Sequence, residues 1–179
     1  KTRAEFVGNK TVKVGDDTIT ADRIVIAAGT RPVVPPIEGL SGVEYLTSTE
    51  ALRLKKQPKS MLIIGGGYIA TELGHFYGAL GTKITIVETG DMLIAREDTD
   101  IAKTFTKLFS KKHSVLLGHT VVKVSEANGM KKVTVKDKEG NTREMEAEAL
   151  LVTVGRRPNS DMLKLENVGI LLDEKGYVK

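Results

Sequence analysis

The spacing of apolar and polar positions changes three times along the chain. Over roughly the first thirty residues the period is two: AEFVG, then KTVKVG, then DTITADRIVIAAG read as β structure, separated by Gly, Asn and Asp turn signals. The last run closes as RIVIAAG, apolar and ending in small residues, which predicts a buried strand whose end lies close against something. TRPVVPPIEGLSGVEY follows, with three of the five prolines at Pro32, Pro35 and Pro36. Proline removes a backbone donor and restricts the residue before it, so this segment reads as an extended crossover between two domains. TSTEAL at 47–52 predicts a short helix, with Ser48 or Thr49 as its cap, ending before Pro58.

From Met61 the pattern becomes β-α-β. MLIIG is a short buried strand; Ile69, Leu73, Phe76 and Leu80 recur at helical spacing; Gly81 supplies the stop; KITIVE is a second, β-branched strand. The unit has the roughly thirty-residue length of a right-handed parallel crossover. EDTDIAKTFTKLFSKKH predicts another helix, capped by Asp98 or Thr99, with Ile101, Phe105 and Leu108 on one face and lysines at its end. VLLG reads as a further strand. The period then returns to two in TVVKVSE, MKKVTVKD and NTREMEAEALLVTVG, joined at Asn128-Gly129, a hairpin signal, and at Glu139-Gly140. The prediction is an α/β chain in which a small antiparallel meander hangs on a parallel sheet.

Composition narrows the chemistry. With 179 residues the chain can bury a real core, and 40% hydrophobic with 28% charged residues is the make-up of an ordinary globule. Neither a membrane span nor a signal-peptide core is visible, so a cytoplasmic setting is expected. Cysteine is absent, which excludes a disulfide, a thiolate metal site and a thiol nucleophile. His75, His113 and His119 fall in no metal-ligand spacing and are read as surface or packing residues. The net charge of +4 comes from scattered lysines, and 4% aromatics without Trp leaves few stacking platforms, so no nucleic-acid partner is expected.

The chemistry-bearing stretch is LIIGGGYIATELGHFYGALGTKITIVE, residues 62–88. Its frame is Gly65, Gly67 and Ala70, a G-x-G-x-x-A. Gly65 allows a tight turn, Gly67 lets the backbone approach a pyrophosphate, and Ala70 lets the helix pack close to the strand. The N–H groups at the helix start then receive phosphate. A glycine frame alone also serves purely structural turns. Here a strand precedes it, an amphipathic helix follows, and Glu88 stands about twenty residues on, where a carboxylate accepts from an adenosine ribose. That carboxylate repels a 2′-phosphate, and Thr89 and Gly90 supply no cation, although Arg96 lies in the following loop; the expected cofactor is NAD over NADP.

These residues resemble the two-dinucleotide-domain flavoprotein disulfide reductases, a family that includes dihydrolipoamide dehydrogenase, glutathione reductase, mercuric reductase and mycothione reductase. IVIAAGTRPVVPPIEG is similar to the flavin-contacting A-T-G strand and its crossover, with Ala28 in place of the usual Thr. GGGYIATELG resembles the NAD fingerprint, and LLVTVGRRPNSDML followed by ENVGI resembles the return strand into the flavin domain. The resemblance implies a Rossmann-like NAD-binding domain over 44–155, flanked by incomplete FAD-domain segments at 1–43 and 156–179. It implies NAD contacts at Gly65, Gly67, Tyr68, Ile69, Ala70, Glu72, Glu88, Val154 and Gly155. Glu72 matches the glutamate near the nicotinamide carboxamide, and Tyr68 and Ile69 match the pair beside the nicotinamide pocket. Ala28, Gly29 and Arg156 would face FAD.

The implied parent is dihydrolipoamide dehydrogenase-like, or alternatively mycothione or mercuric reductase-like. It is expected to be a homodimer that passes hydride between NAD(H) and FAD, coupled to a redox-active cysteine pair acting on a disulfide or lipoyl substrate. That pair, the N-terminal FAD glycine frame and a C-terminal His–Glu pair are absent here, so the chain is expected to be an internal piece without catalytic residues of its own. A stand-alone, non-catalytic NAD-binding module is the rival expectation; it would have no use for RIVIAAG or GRRPN.

Overall fold

The computed structural model describes residues 2–179, which fall into two compact units: an outer one, up to Arg31 and again from Arg156, and a central one, Pro32–Gly155. No helix among the described residues is long and apolar enough to cross a membrane.

In the outer unit Ala4–Gly8 (β1), Thr11–Val14 (β2) and Asp17–Thr20 (β3) form an antiparallel sheet in chain order. Thr30–Pro32 (β4) pairs with Arg156–Pro158. Polar links tie the two segments of the unit together. The Phe6 N–H donates to the Leu163 carbonyl, the Asn167 amide to the Phe6 carbonyl, and the Arg31 guanidinium forks onto Asp161 while also reaching Asn159. The pairing holds the Asp161 carboxyl below its ordinary range, with the hydrogen bond from Arg31 as the leading cause.

The central unit is built on a parallel sheet. Ser60–Ile64 (β5), Lys83–Val87 (β6), Ser114–Leu116 (β7) and, last in sequence, Ala149–Val152 stand in the order Ala149–Val152, β5, β6, β7. Helices Ser48–Ala51 (α1), Tyr68–Ala79 (α2) and Thr99–Phe109 (α3) supply one layer. Thr120–Ala127 (β8), Met130–Lys136 (β9) and Thr142–Ala147 (β10) form the antiparallel meander, and Ala149–Val152 is β11. Strand alternation sends successive side chains to opposite faces. Leu62, Ile64, Leu150 and Val152 therefore join Val121, Val124, Val133 and Val135 of the meander in one core cluster. Met61, Ile63, Ile84 and Leu151 join Ala70, Leu73, Tyr77 and Phe109 of the helices in the other. Both faces of the parallel sheet are covered, as all-parallel sheets require.

Several expectations are corrected. RIVIAAG is not a strand: residues 23–29 carry no regular structure, and Val25 is 87% exposed. Extended backbone needs a neighbour to complete a ladder, and no strand among the described residues pairs with it. The helix faces are rotated from those expected. In α2 the buried positions are Ala70, Thr71, Leu73, Gly74 and Tyr77, while Phe76 and Leu80 lie more than half exposed. In α3 they are Ala102, Thr106 and Phe109, with Ile101 61% exposed. Small residues thus share the buried faces with Leu73, Tyr77 and Phe109, and a Cβ on Gly74 would meet Ile63, Ile84 and Phe109 at ordinary contact distance.

The cap of α1 is Thr47, one residue before the two expected: its hydroxyl accepts from the Thr49 N–H, and Glu50 accepts from the Thr47 N–H in a capping box. The long run NTREMEAEALLVTVG is two strands, breaking at Glu148 between meander and parallel sheet. The segment 32–43, expected with the flanking segments, belongs to the central unit. Leu40 is buried there in the cluster beneath the meander, and the Val124 N–H donates to the Glu38 carbonyl.

Candidate dinucleotide-binding site

Three strands of the parallel sheet finish side by side, with Ile64 paired to Val87 on one side and to Val152 on the other. Gly65–Gly67, Glu88 and Thr153–Gly155 therefore leave the sheet together at the carboxyl ends of the strands, where open α/β sheets hold their ligands.

Gly65 turns the chain with φ +97, its N–H donating to the Val87 carbonyl; a Cβ there would lie 2.8 Å from the Thr153 carbonyl oxygen. Gly67 is the N-cap of α2, and nothing lies within 4 Å of the position a Cβ would take. No side chain caps this helix, and the first helical bond is from the Thr71 N–H to the Gly67 carbonyl. The N–H groups of the first turn are left without intrahelical partners beside an open backbone, which suits phosphate oxygens. Ala70 is fully buried beneath, as a close helix–strand contact demands.

Around this frame Tyr68 is exposed at the first turn, Ile69 is half-buried against the helical core cluster, and Glu72 is exposed one turn on. Val154 is exposed, its Cα 3.3 Å from where a Gly65 Cβ would be, and Gly155 follows, its carbonyl accepting from the Val33 N–H. The structure thus brings the glycine frame, Glu88 and Val154 together at the strand ends, with Gly155 next in sequence and Tyr68, Ile69 and Glu72 on the first turns of α2. Arg96 is exposed in the loop that follows.

Glu88 is more engaged than a free sugar ligand. Its Oε2 accepts from the Gly66 N–H at 2.5 Å, and its Oε1 accepts from the Gly90 N–H at 2.6 Å and the Thr89 hydroxyl at 3.1 Å. Gly66, the middle glycine, went unassigned in the G-x-G frame, yet it has the least room of the three. A Cβ on it would sit 2.8 Å from Leu93 Cδ2 and 2.9 Å from Glu88 Cγ and Oε2. The run of three consecutive glycines was the available signal. Thr153 was also missed; its hydroxyl donates to the Ile64 carbonyl at 2.8 Å, fastening the end of β11 to that of β5.

The residues expected toward a flavin lie in the outer unit. The Ala28 and Gly29 carbonyls both accept from Asn159, Gly29 has φ +66 with nothing near its Cβ direction, and Arg156 donates to the hydroxyl and carbonyl of Thr30. His75 is exposed, and His119 Nδ1 lies 2.7 Å from the Leu117 carbonyl. His113 packs against Phe109 with the rings tilted at 51° and centroids 4.7 Å apart, and burial is the leading cause that pushes its imidazole below its usual range. No group of three potential ligands among the described residues is placed to hold a metal ion.

The family described as pyridine nucleotide-disulphide oxidoreductase matches residues 1–179. A mercuric reductase of Staphylococcus aureus is 37% identical over 176 residues, 98% of this chain and 32% of that protein. A dihydrolipoyl dehydrogenase of Bacillus subtilis (strain 168) is 38% identical over 184 residues, covering 100% of this chain and 39% of its own length. Among solved structures, the HOCl-induced flavoprotein disulfide reductase RclA from Escherichia coli superposes with a TM-score of 0.85 at 32% identity, covering 98% of this chain and 40% of that one. The chain spans between about a third and two fifths of the length of these relatives. It belongs to the pyridine nucleotide-disulphide oxidoreductase family and has the α/β fold of the flavoprotein disulfide reductases.

Proposed function

We propose that the central unit of this family member is its NAD(H)-binding portion. The observation that carries the reading is the uncapped start of α2 behind Gly67, with open space at the glycine and the Glu88 carboxylate held at the end of the next strand. The pyrophosphate would lie on the N–H groups of the first turn of α2. Glu88 would take the adenosine ribose and repel a 2′-phosphate. Tyr68, Ile69, Glu72, Val154 and Gly155 would border the nicotinamide end.

Bound in this crevice, NAD(H) supplies a hydride donor or acceptor, which in this reading exchanges with FAD coupled to a redox-active cysteine pair that the 179-residue sequence does not contain. For FAD the fit of the named residues is narrower. Arg156 and the carbonyls of Ala28 and Gly29 are already engaged, which leaves the open backbone at Gly29 as the position that suits a close approach.

For the whole protein the reading is a homodimeric, cytoplasmic, dihydrolipoamide dehydrogenase-like enzyme, with a mercuric or mycothione reductase-like enzyme as the alternative. The matched relatives carry both of the names dihydrolipoyl dehydrogenase and mercuric reductase at comparable identity. The chain by itself is expected to bind NAD(H) without turning over a disulfide. Titration with NADH and NADPH, followed by nucleotide fluorescence, tests the reading: NADH is expected to bind more tightly, and tighter NADPH binding would refute the NAD assignment.

A further inference from the structure

We infer that Glu88 is a positioning residue for the glycine loop as well as a sugar ligand, so that it supports the binding of either dinucleotide; this rests on the reading of the crevice as a dinucleotide site.

Gly66 is the residue that Glu88 holds. Its N–H and its carbonyl, which belong to successive peptide groups, are both held by the segment that follows β6. The Gly66 N–H donates to Glu88 Oε2 at 2.5 Å, and its carbonyl accepts from the Ile94 N–H at 2.8 Å. Leu93, fully buried, closes the third side; its own N–H is held by the Thr106 hydroxyl of α3 at 2.9 Å. Ile94 sits at φ +47, a conformation that a β-branched residue adopts only when its surroundings impose it. Residues 88–94 thus form a clamp on the middle glycine, strained at one end and anchored in α3. The Gly67 N–H shares a peptide group with the Gly66 carbonyl and the first-turn N–H groups of α2 follow it, so their direction is set by how Gly66 is held.

Counting acceptor positions sharpens the point. An ionised carboxylate offers about four lone-pair positions. Three of them are taken, by the N–H groups of Gly66 and Gly90 and by the Thr89 hydroxyl. One remains for a ribose hydroxyl. Replacing Glu88 to admit a 2′-phosphate therefore removes the acceptor of the Gly66 N–H at the same time. A substitution at this position alone is expected to weaken NADH without creating an NADPH site.

The experiment uses the full chain, labelled for amide NMR, without nucleotide and then with it. In the wild type the Gly66 and Gly90 amide protons should resonate downfield, as donors to a charged acceptor do, and should exchange slowly. In Glu88→Ala both should move upfield and exchange at least about tenfold faster, while the amides of Ile63 and Ile86 keep their protection and report that the sheet is intact. Glu88→Gln, which keeps one carbonyl oxygen, should restore one of the two amides.

In the binding arm, Glu88→Ala should weaken NADH by about tenfold to a hundredfold and leave NADPH no tighter than in the wild type. Unprotected Gly66 in the wild type, an unchanged Gly66 amide in Glu88→Ala, or a gain in NADPH affinity would each overturn the inference. If the wild type binds neither dinucleotide, the functional reading fails, and amide exchange still decides whether the clamp exists.

Discussion

Met61–Ile64 and Ile24–Ala28 are sequences of one kind, apolar, rich in β-branched residues and each followed directly by a glycine, yet they meet different fates. The first is a central strand with β6 on one side and β11 on the other, and its side chains are between 0% and 6% exposed. The second lies in the outer unit without regular structure or a paired strand among the described residues, with Val25 87% exposed. Ile24, Ile26 and Ala28 line a cavity of about 310 Å³ with Phe6, Val12 and Leu163 rather than a packed layer. An apolar run specifies a strand only where other segments satisfy its N–H and C=O groups on both edges and cover both faces. The chemistry follows the same divide. The glycines after β5 open into a crevice whose walls are set by neighbouring strand ends, whereas Gly29 faces open space.

The contrast can be broken most directly by truncating one residue in each run. Ile63→Ala removes a fully buried side chain between sheet and helices and should destabilise the chain by about 2–5 kcal/mol. Val25→Ala should change stability by no more than about 0.5 kcal/mol. Urea denaturation of the two variants measures both; comparable losses would mean that the 23–29 segment is packed after all.

Next in size are the glycines that close the two runs. Both have positive φ, so alanine at either is strained by roughly 1–2 kcal/mol. Only Gly65→Ala also drives a Cβ against backbone, at the Thr153 carbonyl. It should therefore destabilise more than Gly29→Ala, by about 1 kcal/mol or more, and weaken NADH binding as well. Equal melting temperatures for the two variants would remove the distinction between a crowded and an open turn.

The smallest expected effect concerns the helical layer that covers β5. The buried Tyr77 hydroxyl of α2 donates to the Ala51 carbonyl of α1, so the Thr47 cap supports that layer. Thr47→Ala should cost about 1 kcal/mol. The Thr47 hydroxyl, followed by its N–H, lowers the Glu50 carboxyl from its ordinary value of 4.5. The folded state thus favours the ionised form. The associated stability is present above the ordinary value and is lost as the pH falls below about 4.5 through the folded one. Glu50 is exposed, so the effect is modest, and Thr47→Ala should flatten the acid limb of the stability profile. An unchanged acid limb would mean that the capping box contributes no pH dependence.

How much was legible follows from how local each signal is. The Asn128-Gly129 hairpin was readable because two positive-φ residues in a row are a local demand, met at φ 54 and 75. Asp98 as a cap was readable because it binds the N–H groups of Asp100 and Ile101, its own near neighbours. The helix faces were misread because apolar residues were assumed to point inward. The buried faces instead hold Ala, Gly and Thr beside Leu73, Tyr77 and Phe109. The split at Glu148 was invisible because the apolar pattern continues while the pairing partner changes from β9 to β5.

The sequence by itself determined the α/β class, the β-α-β unit and the glycine frame with its acid, since turn conformation, helix capping and strand propensity act over a few neighbouring residues. The tertiary structure alone decided that Glu88, Leu93 and Ile94 close on Gly66, that Thr153 ties two strand ends together, and that 23–29 finds no strand partner among the described residues. Those outcomes depend on which distant segments lie within hydrogen-bonding distance, and a periodicity read along one segment carries no information about its neighbours in space.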